Sequence, residues 1–538
     1  MRIGLFHGYE LTGSGSNEYT RYLARALADE GHEVHVMCRE PQPQQAGADA
    51  AVAWDEHGSP TPLFGTPGGA GTITVHQLPH AQVRPVYVTD KQREGNVKAF
   101  PDLTDDELAR VRAVPGGALR GVLTAYPVDV LHANHLVLQP TIAADVCGPL
   151  GIPFVIYPHG SDIEYTIRND DRYLGLAGEA LARSAGLITG SQEMVQRVVS
   201  LYPDQREWIE THHEIVGVGV DVDLFMQVAK DDRPASIAAL VATEPGGGKT
   251  RAQVAQFHRR LDAGDLATIR ETARAYAREM PDDDAGQVLA DLPWQDGKVL
   301  LFVGALTGGK GLQSVIAALP AVLEEVPAAH LVIVGSGAFR EVLEALVHAI
   351  ATGNEALLDT LVLHGNDFED TPTGGEWSDV VAYLADADNR QVVLAAGPGF
   401  ADHVHFVGRL GHDRLQYLFP CADLAVFPSI VPEAYPLVLM ESLASGVLPC
   451  ASDTTGLGEG LTLLEPHLGA DVVERLRLPM DDGVRVAAIA DRLTALLRDS
   501  ALDDLAGRLR EIAVSEYDWP VRAGQMTAAY ERFIAAAG

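Results

Sequence analysis

Short apolar runs alternate with amphipathic stretches along the first third of the chain. IGLFH (3–7), VHVMC (34–38), VDVLHA (128–133), PFVIYPHG (153–160) and AGLITGS (185–191) have the length and composition of buried strands. Between the first two, residues 18–30 place Tyr19, Tyr22, Leu23, Ala26 and Leu27 at helical spacing, and Gly31 stops the helix. Strands separated by helices predict a parallel, doubly wound sheet. The pattern lapses over 228–294, where Gly/Pro punctuation around 244–248 precedes polar helical sequence at 251–279. It resumes with VLLFVG (299–304), a helix to about Val326, LVIVGSG (331–337), HVHFVG (403–408), LAVFPS (424–429) and VLPCAS (447–452). Residues 352–402 are rich in Gly and Asp and read as an irregular insertion, and 517–537 reads as a helix. The chain is therefore expected to be α/β, with Rossmann-like domains at 1–227 and 296–515 and a helical insertion at 228–295. A C-terminal helix at 516–538 is expected to pack back on the N-terminal domain. Two such halves leave a cleft at the carboxyl ends of their strands.

Composition narrows the partners. The 538 residues carry a net charge of −34 with a pI of about 4.8, which argues against a chain-wide nucleic-acid footprint and against adhesion to anionic lipid. Only six of the 40 basic residues are lysines, and clusters of positive charge stand out. One such cluster, Arg84, Lys91, Arg93 and Lys98, fits an anionic ligand and a solvated loop about equally. No run of eighteen apolar residues is present, the N-terminus lacks secretory features, and four cysteines lie far apart. A reduced, cytoplasmic protein without a transmembrane segment is the expectation.

The chemistry concentrates in PSIVPEAYPLVLMESLASGVLPCAS (428–452). Glu433 and Glu441 are eight residues apart with Pro436 between them. A helix over most of that interval would separate them by roughly 12 Å, suited to hydroxyl-rich groups at opposite ends of one ligand. Its N-terminal amides would face an anion. The spacing alone is met as well by two surface glutamates.

EAYPLVLMESLASG (433–446) resembles the E-x7-E signature of retaining glycosyltransferases of family 4, which have the GT-B fold of two Rossmann-like domains facing across a cleft. Four other stretches match in order: GSGSNEYTRYLARALADEGHEVHVM (13–37), PFVIYPHGSD (153–162), VGVGVDVDLF (216–225), and VGALTGGKG (303–311) followed by LVIVGSG. The resemblance implies a hexosyltransferase that takes a nucleotide-diphosphate sugar as co-substrate and uses neither cofactor nor catalytic metal. Its acceptor is a carbohydrate or small molecule. Glu433 would bind hydroxyls of the donor sugar and Glu441 the ribose. Amides around Ala434, Tyr435 and Leu437 would cradle sugar and phosphate, with Gly304, Gly335 and Arg409 lining the same site. Lys310 would neutralise the departing diphosphate, and His159 would sit beside the reacting sugar. Gly15, Asp162 and the basic residues Arg84, Arg93 and Lys98 would face the acceptor.

This chain departs from the family at Ala305, where an arginine normally follows the glycine. Lysine does not replace a bidentate guanidinium. Either Arg409 or Arg414 completes the clamp, or donor binding is weak. Two alternatives stay open: a degenerate relative that binds nucleotide sugar without turnover, and an epimerase or phosphorylase of the same fold. Lesser motifs read as structural. GSGSNE (13–18) and GSGAFR (335–340) lack the third glycine of a dinucleotide loop. EPGGGKT (244–250) lacks the first glycine of a phosphate loop and reads as a turn. DVD (221–223) falls inside a family stretch, and His212 and His213 lack a third ligand at metal spacing.

Overall fold

The computed structural model describes residues 1–87, 96–243, 246–275, 280–369, 374–434 and 437–537. They form two compact units: Met1–Gly219 with Ala434, Leu437 and the C-terminal stretch from Glu516, and Val220–Glu433 with Val438–Ser515.

The first unit is built on a nine-stranded sheet. Its strands are β1 (Arg2–Phe6), β2 (Glu33–Cys38), β3 (Ala50–Trp54), β4 (Pro60–Phe64), β5 (Thr72–Gln77), β8 (Val130–Asn134), β9 (Phe154–Tyr157), β10 (Gly186–Thr189) and β11 (His213–Ile215). β6 (Arg84–Val86) and β7 (Val97–Ala99) form a separate parallel pair. The order in the large sheet is β11-β10-β9-β8-β1-β2-β5-β3-β4, and every pairing is parallel except β3 with β4. Strand order reverses between β1 and β8, so the loops after these two strands diverge and leave a crevice at their carboxyl ends. The helix Trp519–Ala537 packs within this unit: Tyr530 Oη lies 2.7 Å from His132 Nδ1, and the Phe533 ring occupies the space a Cβ at Gly186 would need.

Strands β3, β4 and β5 lie where no strand was expected. Polar residues hide β5, because the penultimate residue of its TITVHQ run is a histidine that is fully buried. A relay satisfies that histidine. Trp54 Nε1 can only donate, and it donates to His76 Nδ1 at 3.0 Å. His76 Nε2–H then donates to His35 Nδ1 (2.9 Å), and His35 Nε2–H to Glu33 Oε1 (2.9 Å). Both imidazoles are neutral in this arrangement. Burial depresses the pKa of each, that of His76 well below 6.5, and their mutual repulsion lowers His76 further. The unfolded chain therefore binds protons that the folded chain refuses as pH falls below about 6.5. Stability is expected to be full above that pH and to fall below it, by up to about 1.4 kcal/mol per pH unit for each such histidine. Urea-unfolding midpoints from pH 7.5 to 5 check this, and His76→Gln should flatten the slope; an unchanged slope would remove the relay as its source.

The second unit has a six-stranded sheet of β12 (Lys298–Val303), β13 (Ala329–Val334), β14 (Val404–Gly408), β15 (Leu424–Phe427), β16 (Leu448–Ser452) and β17 (Arg477–Leu478). Its order is β14-β13-β12-β15-β16-β17, all parallel, with the reversal between β12 and β15. Residues 228–295, expected as an element between domains, belong to this unit. A buried ion cluster holds them there. Lys249 pairs with Glu341 at 3.3 Å and with Glu344, while Arg340 joins Glu344 (2.9 Å) to Asp282 (2.7 Å). Burial alone would raise the Glu344 carboxyl; the two cations reverse this and hold it low. The lysine of the EPGGGKT turn is thus consumed in packing.

Residues 352–402, expected as irregular, are largely helical: Glu355–His364, Ser378–Leu384 and Ala387–Ala395. Their Gly and Asp content marks helix ends. Asn354 caps Leu357 N (3.1 Å), Asp386 caps Asp388 N and Asn389 N (3.0 Å each), and Gly353 ends a helix at φ 61°.

Candidate active site

In the second unit the loops after β12 and β15 emerge side by side at the strand-order reversal. They are tied together over 308–311 and 428–430. Ile430 N donates to Gly309 O at 2.8 Å, and Ser429 Oγ lies 3.2 Å from the same carbonyl. Gly311 has φ 71°, and a Cβ there would lie 2.0 Å from Pro428 O, so only glycine fits. The adjoining loop after β13 is equally close: a Cβ at Gly335 would lie 1.9 Å from Gly304 O.

This seam brings Lys310 and Glu433 together across 123 residues of sequence, their side chains paired through Nζ and Oε1. Ser429 Oγ donates to the same carboxylate oxygen at 2.8 Å. The backbone around Glu433 is pinned as well: its N–H donates to Thr455 Oγ1 (2.9 Å) and its carbonyl accepts from Gly456 N (3.0 Å). The two side chains are 29% and 18% exposed, so the pair is held in place yet open to a ligand.

Glu441 differs. It sits on the helix Leu437–Ala444. Glu441 is buried; Oε1 lies 2.9 Å from His412 Nε2, and Oε2 has no hydrogen-bond partner among the described residues. An unpartnered buried carboxylate oxygen is costly and marks a place for a donor group. Leu437 opens this helix, Ala434 follows Glu433 in the loop, and Tyr435 lies outside the described residues. Arg409 follows β14, where the 280–283 segment docks: Arg409 N donates to Met280 O at 3.2 Å and Asp282 N to Val407 O at 3.0 Å. Arg414 lies on the next helix, His412–Leu418.

One residue escaped sequence reading. Arg485 is fully buried; its guanidinium donates to Pro428 O (2.6 Å), Ser452 Oγ (3.0 Å) and Pro479 O (2.7 Å) and lies 3.5 Å from Asp379. The Pro428 carbonyl it holds is the one packed on Gly311. A signal existed: Arg485 shares one helical stripe with the buried Ile489 and Leu493.

The first unit gathers a second set at the ends of β1, β8 and β9. His159 Nε2 lies 2.7 Å from Asn134 Oδ1, an acceptor, so that nitrogen carries the proton and Nδ1 is bare. Burial drives its pKa well down, helped by the neighbouring imidazoles of His7 and His132, and it is neutral. Asp162 is buried; Oδ2 accepts from Leu136 N, Oδ1 has no partner among the described residues, and burial pushes its pKa up to about 6. His135, not singled out from sequence, stands 4.7 Å from the His159 ring at φ 67°. Gly15 opens the helix Gly15–Asp29, and a Cβ there would meet nothing within 4 Å.

The basic loop does not present the free charges expected of it. Arg84 pairs with Glu10 (2.7 Å) and Lys98 with Glu107 (2.7 Å), while Arg93 lies outside the described residues. Asp221 of the DVD run caps a turn, accepting from Asp223 N (3.1 Å) and Leu224 N (2.9 Å).

Comparison with known proteins agrees with this division. The sequence model for Glycosyltransferase Family 4 matches residues 13–224, and that for Glycosyl transferases group 1 matches 290–357 and 387–512. A phosphatidyl-myo-inositol mannosyltransferase of Mycobacterium leprae is 32% identical over 144 residues, 27% of this chain and 35% of that protein. A glycogen synthase of Mycobacterium tuberculosis is 28% identical over 221 residues, 41% of this chain and 39% of that protein. The chain thus spans about a third of the length of the first curated relatives it matches. Among solved structures, sucrose-phosphate synthase from Thermosynechococcus elongatus has a TM-score of 0.55 at 18% identity, covering 99% of both chains. Anabaena HepE, solved with UDP and glucose, has a TM-score of 0.55 at 14% identity, covering 99% of this chain and 100% of that one. At such identities these two neighbours speak for the fold. With Lys310, Glu433 and Glu441 inside the two stretches matched by one family model and His159 inside the stretch matched by the other, the chain belongs to the glycosyltransferases of the family 4 type, with the GT-B fold.

Proposed function

We propose that this protein is a retaining glycosyltransferase that moves a hexosyl group from a nucleotide-diphosphate sugar to a hydroxyl of a soluble, anionic acceptor in the cytoplasm. The observation that carries the reading is the Lys310–Glu433–Ser429 cluster at the strand-order reversal of the second unit. Breaking the bond from sugar to phosphate leaves its electron pair on the diphosphate, so charge stabilisation there dominates the barrier. Lys310 supplies that positive charge once a ligand parts it from Glu433, whose carboxylate then accepts from sugar hydroxyls. The unpartnered Oε2 of Glu441 accepts from the ribose. Neutral His159, with its Nε2 proton committed to Asn134, keeps a bare Nδ1 as an acceptor. In this reading no catalytic metal is needed. Solved neighbours of this fold carry UDP or ADP, which favours those bases.

A second reading, donor binding without turnover, draws on Ala305. A thermal-shift panel with UDP, GDP, ADP and their common sugar conjugates, without added metal, tests both. A ligand at 100 times its Kd should add about 2.7 kcal/mol. UDP or ADP is expected to stabilise selectively, and the matching conjugate to release diphosphate when acceptor is supplied. Stabilisation without release would favour the second reading; no response to any nucleotide would sink both.

A further inference from the structure

We infer that Glu369, supplied by a segment outside the family matches, is a positioning residue for Lys310 and fixes how that lysine meets the diphosphate of the donor. This rests on the reading of Lys310 as the cation that meets the diphosphate. Residues 358–386 fall between the two matched stretches of the second unit. Their contacts converge on the loops after β12 and β13. The Glu369 carboxylate accepts from Gly308 N at 2.9 Å. Trp377 is buried against Gly365, and its Nε1 donates to Asn366 Oδ1 at 3.2 Å. Its ring lies 5.9 Å from that of Phe339, edge to face, and Phe339 N in turn donates to Leu306 O (3.1 Å). Asp379 accepts from Ser314 Oγ at 2.5 Å, in the first turn of the helix Leu312–Glu325.

Gly308 opens the three-residue turn Gly308–Lys310 that carries the lysine, and it is buried. The far end of that turn is tied to the loop after β15 through Gly309 O and the packing of Gly311 on Pro428 O. The near end is held by side chains: Gly308 O accepts from Gln313 Nε2 (3.1 Å), and its N–H goes to Glu369. The first N–H of a helical turn has no partner within the turn, so an outside acceptor decides where it sits. The fit is close, since a Cβ on Gly308 would lie 3.0 Å from Glu369 Oε2 and 3.1 Å from Asn366 Oδ1. Burial pushes the Glu369 carboxyl up, and the Gly308 N–H pulls it back. A buried carboxylate costs more than a neutral acceptor, and what it returns is a charge-assisted hydrogen bond, the shorter and stronger kind. Glu369 is itself steadied from the other side. Arg270, on the helix Ala267–Ala275, donates to the Asp367 carbonyl, and its guanidinium lies 5.8 Å from the centre of the Phe368 ring. Lys310 is two residues beyond Gly308, so loss of this acceptor frees the turn at the end that the β15 loop does not hold. The attraction of a point charge for phosphate falls with distance, and a small displacement of Lys310 weakens it.

The test is calorimetric titration of the full chain with UDP, UMP, ADP and AMP. The gain in affinity from the second phosphate reports Lys310 and can be read with or without turnover. In the parent, UDP or ADP should bind more tightly than its monophosphate, and Lys310→Ala should abolish that gain. Glu369→Ala should cut the gain at least about 5-fold, a large part of the roughly 10-fold or more that a charged contact confers. Monophosphate affinity should stay as in the parent. Glu369→Gln, which keeps an acceptor for Gly308 N, should keep most of the gain. In the Lys310→Ala background, Glu369→Ala should change nothing further. A loss shared equally by mono- and diphosphate, a gain untouched by Glu369→Ala, or a gain that rises in both Glu369 variants because a nearby negative charge has gone would each overturn the positioning role and leave the transferase reading standing. An undiminished gain in Lys310→Ala, or no response of the parent to any nucleotide, would overturn that reading and this inference with it.

Discussion

Lys310→Ala is expected to lower transfer at least about 100-fold, equivalent to roughly 2.7 kcal/mol of lost transition-state stabilisation. The argument is electrostatic. Lys310 is the cation that the loop after β12 places against Glu433, and Ala305 leaves the arginine position of that loop empty of charge. The pair is partly exposed, and such pairs contribute about 0–1 kcal/mol to folding, so the variant should unfold near the parent temperature. Glu433 would stay anchored through Ser429 and Thr455. Steady-state kinetics with the nucleotide sugar selected by the thermal-shift panel, beside unfolding curves, separate the two effects. Near-normal turnover in a folded variant would misplace the site.

Arg485→Met is expected to cost about 3–5 kcal/mol of stability, the range for removing one member of a buried charged network. Three hydrogen bonds to oxygen leave this guanidinium, and two of them hold Pro428 and Ser452 at the ends of β15 and β16. Its removal takes from Asp379, whose carboxyl is already pushed up by burial, the one cation beside it and leaves Ser314 and the Val380 N–H to hold it. Arg485→Lys should fare little better, because an ammonium cannot reach the same spread of acceptors. Because Pro428 O packs on Gly311, kcat/KM should also fall at temperatures where the variant remains folded. Equilibrium denaturation settles the stability claim: a loss under about 1 kcal/mol would mean Arg485 is not what holds the seam.

The β5 relay and the short helices of 352–402 show where sequence reading stops. Strands such as β1, β8, β12 and β13 announce themselves because parallel strands covered on both faces are continuous apolar runs. β5 does not, since His76 occupies a buried position that only a relay through Trp54, His35 and Glu33 makes tolerable. The Gly and Asp of 352–402 resemble loop composition, yet they are caps of short helices, a distinction set by backbone geometry at single residues.

Charge is the sharper case. From sequence alone, Arg84 and Lys98 stand out by crowding, whereas Arg485 looks like an ordinary member of its segment. Folding reverses the ranking: Glu10 and Glu107 neutralise the first two, and Arg485 becomes the buried brace of the site. By itself the sequence determined the apolar strands at the centre of each sheet, the glycines of the tight loops and the residue types at Lys310, Glu433 and Glu441. Those follow from local periodicity and local backbone constraint. Only the tertiary structure decided which charge meets which, because Coulomb and hydrogen-bond energies act over a few ångströms of space between groups up to several hundred residues apart along the chain.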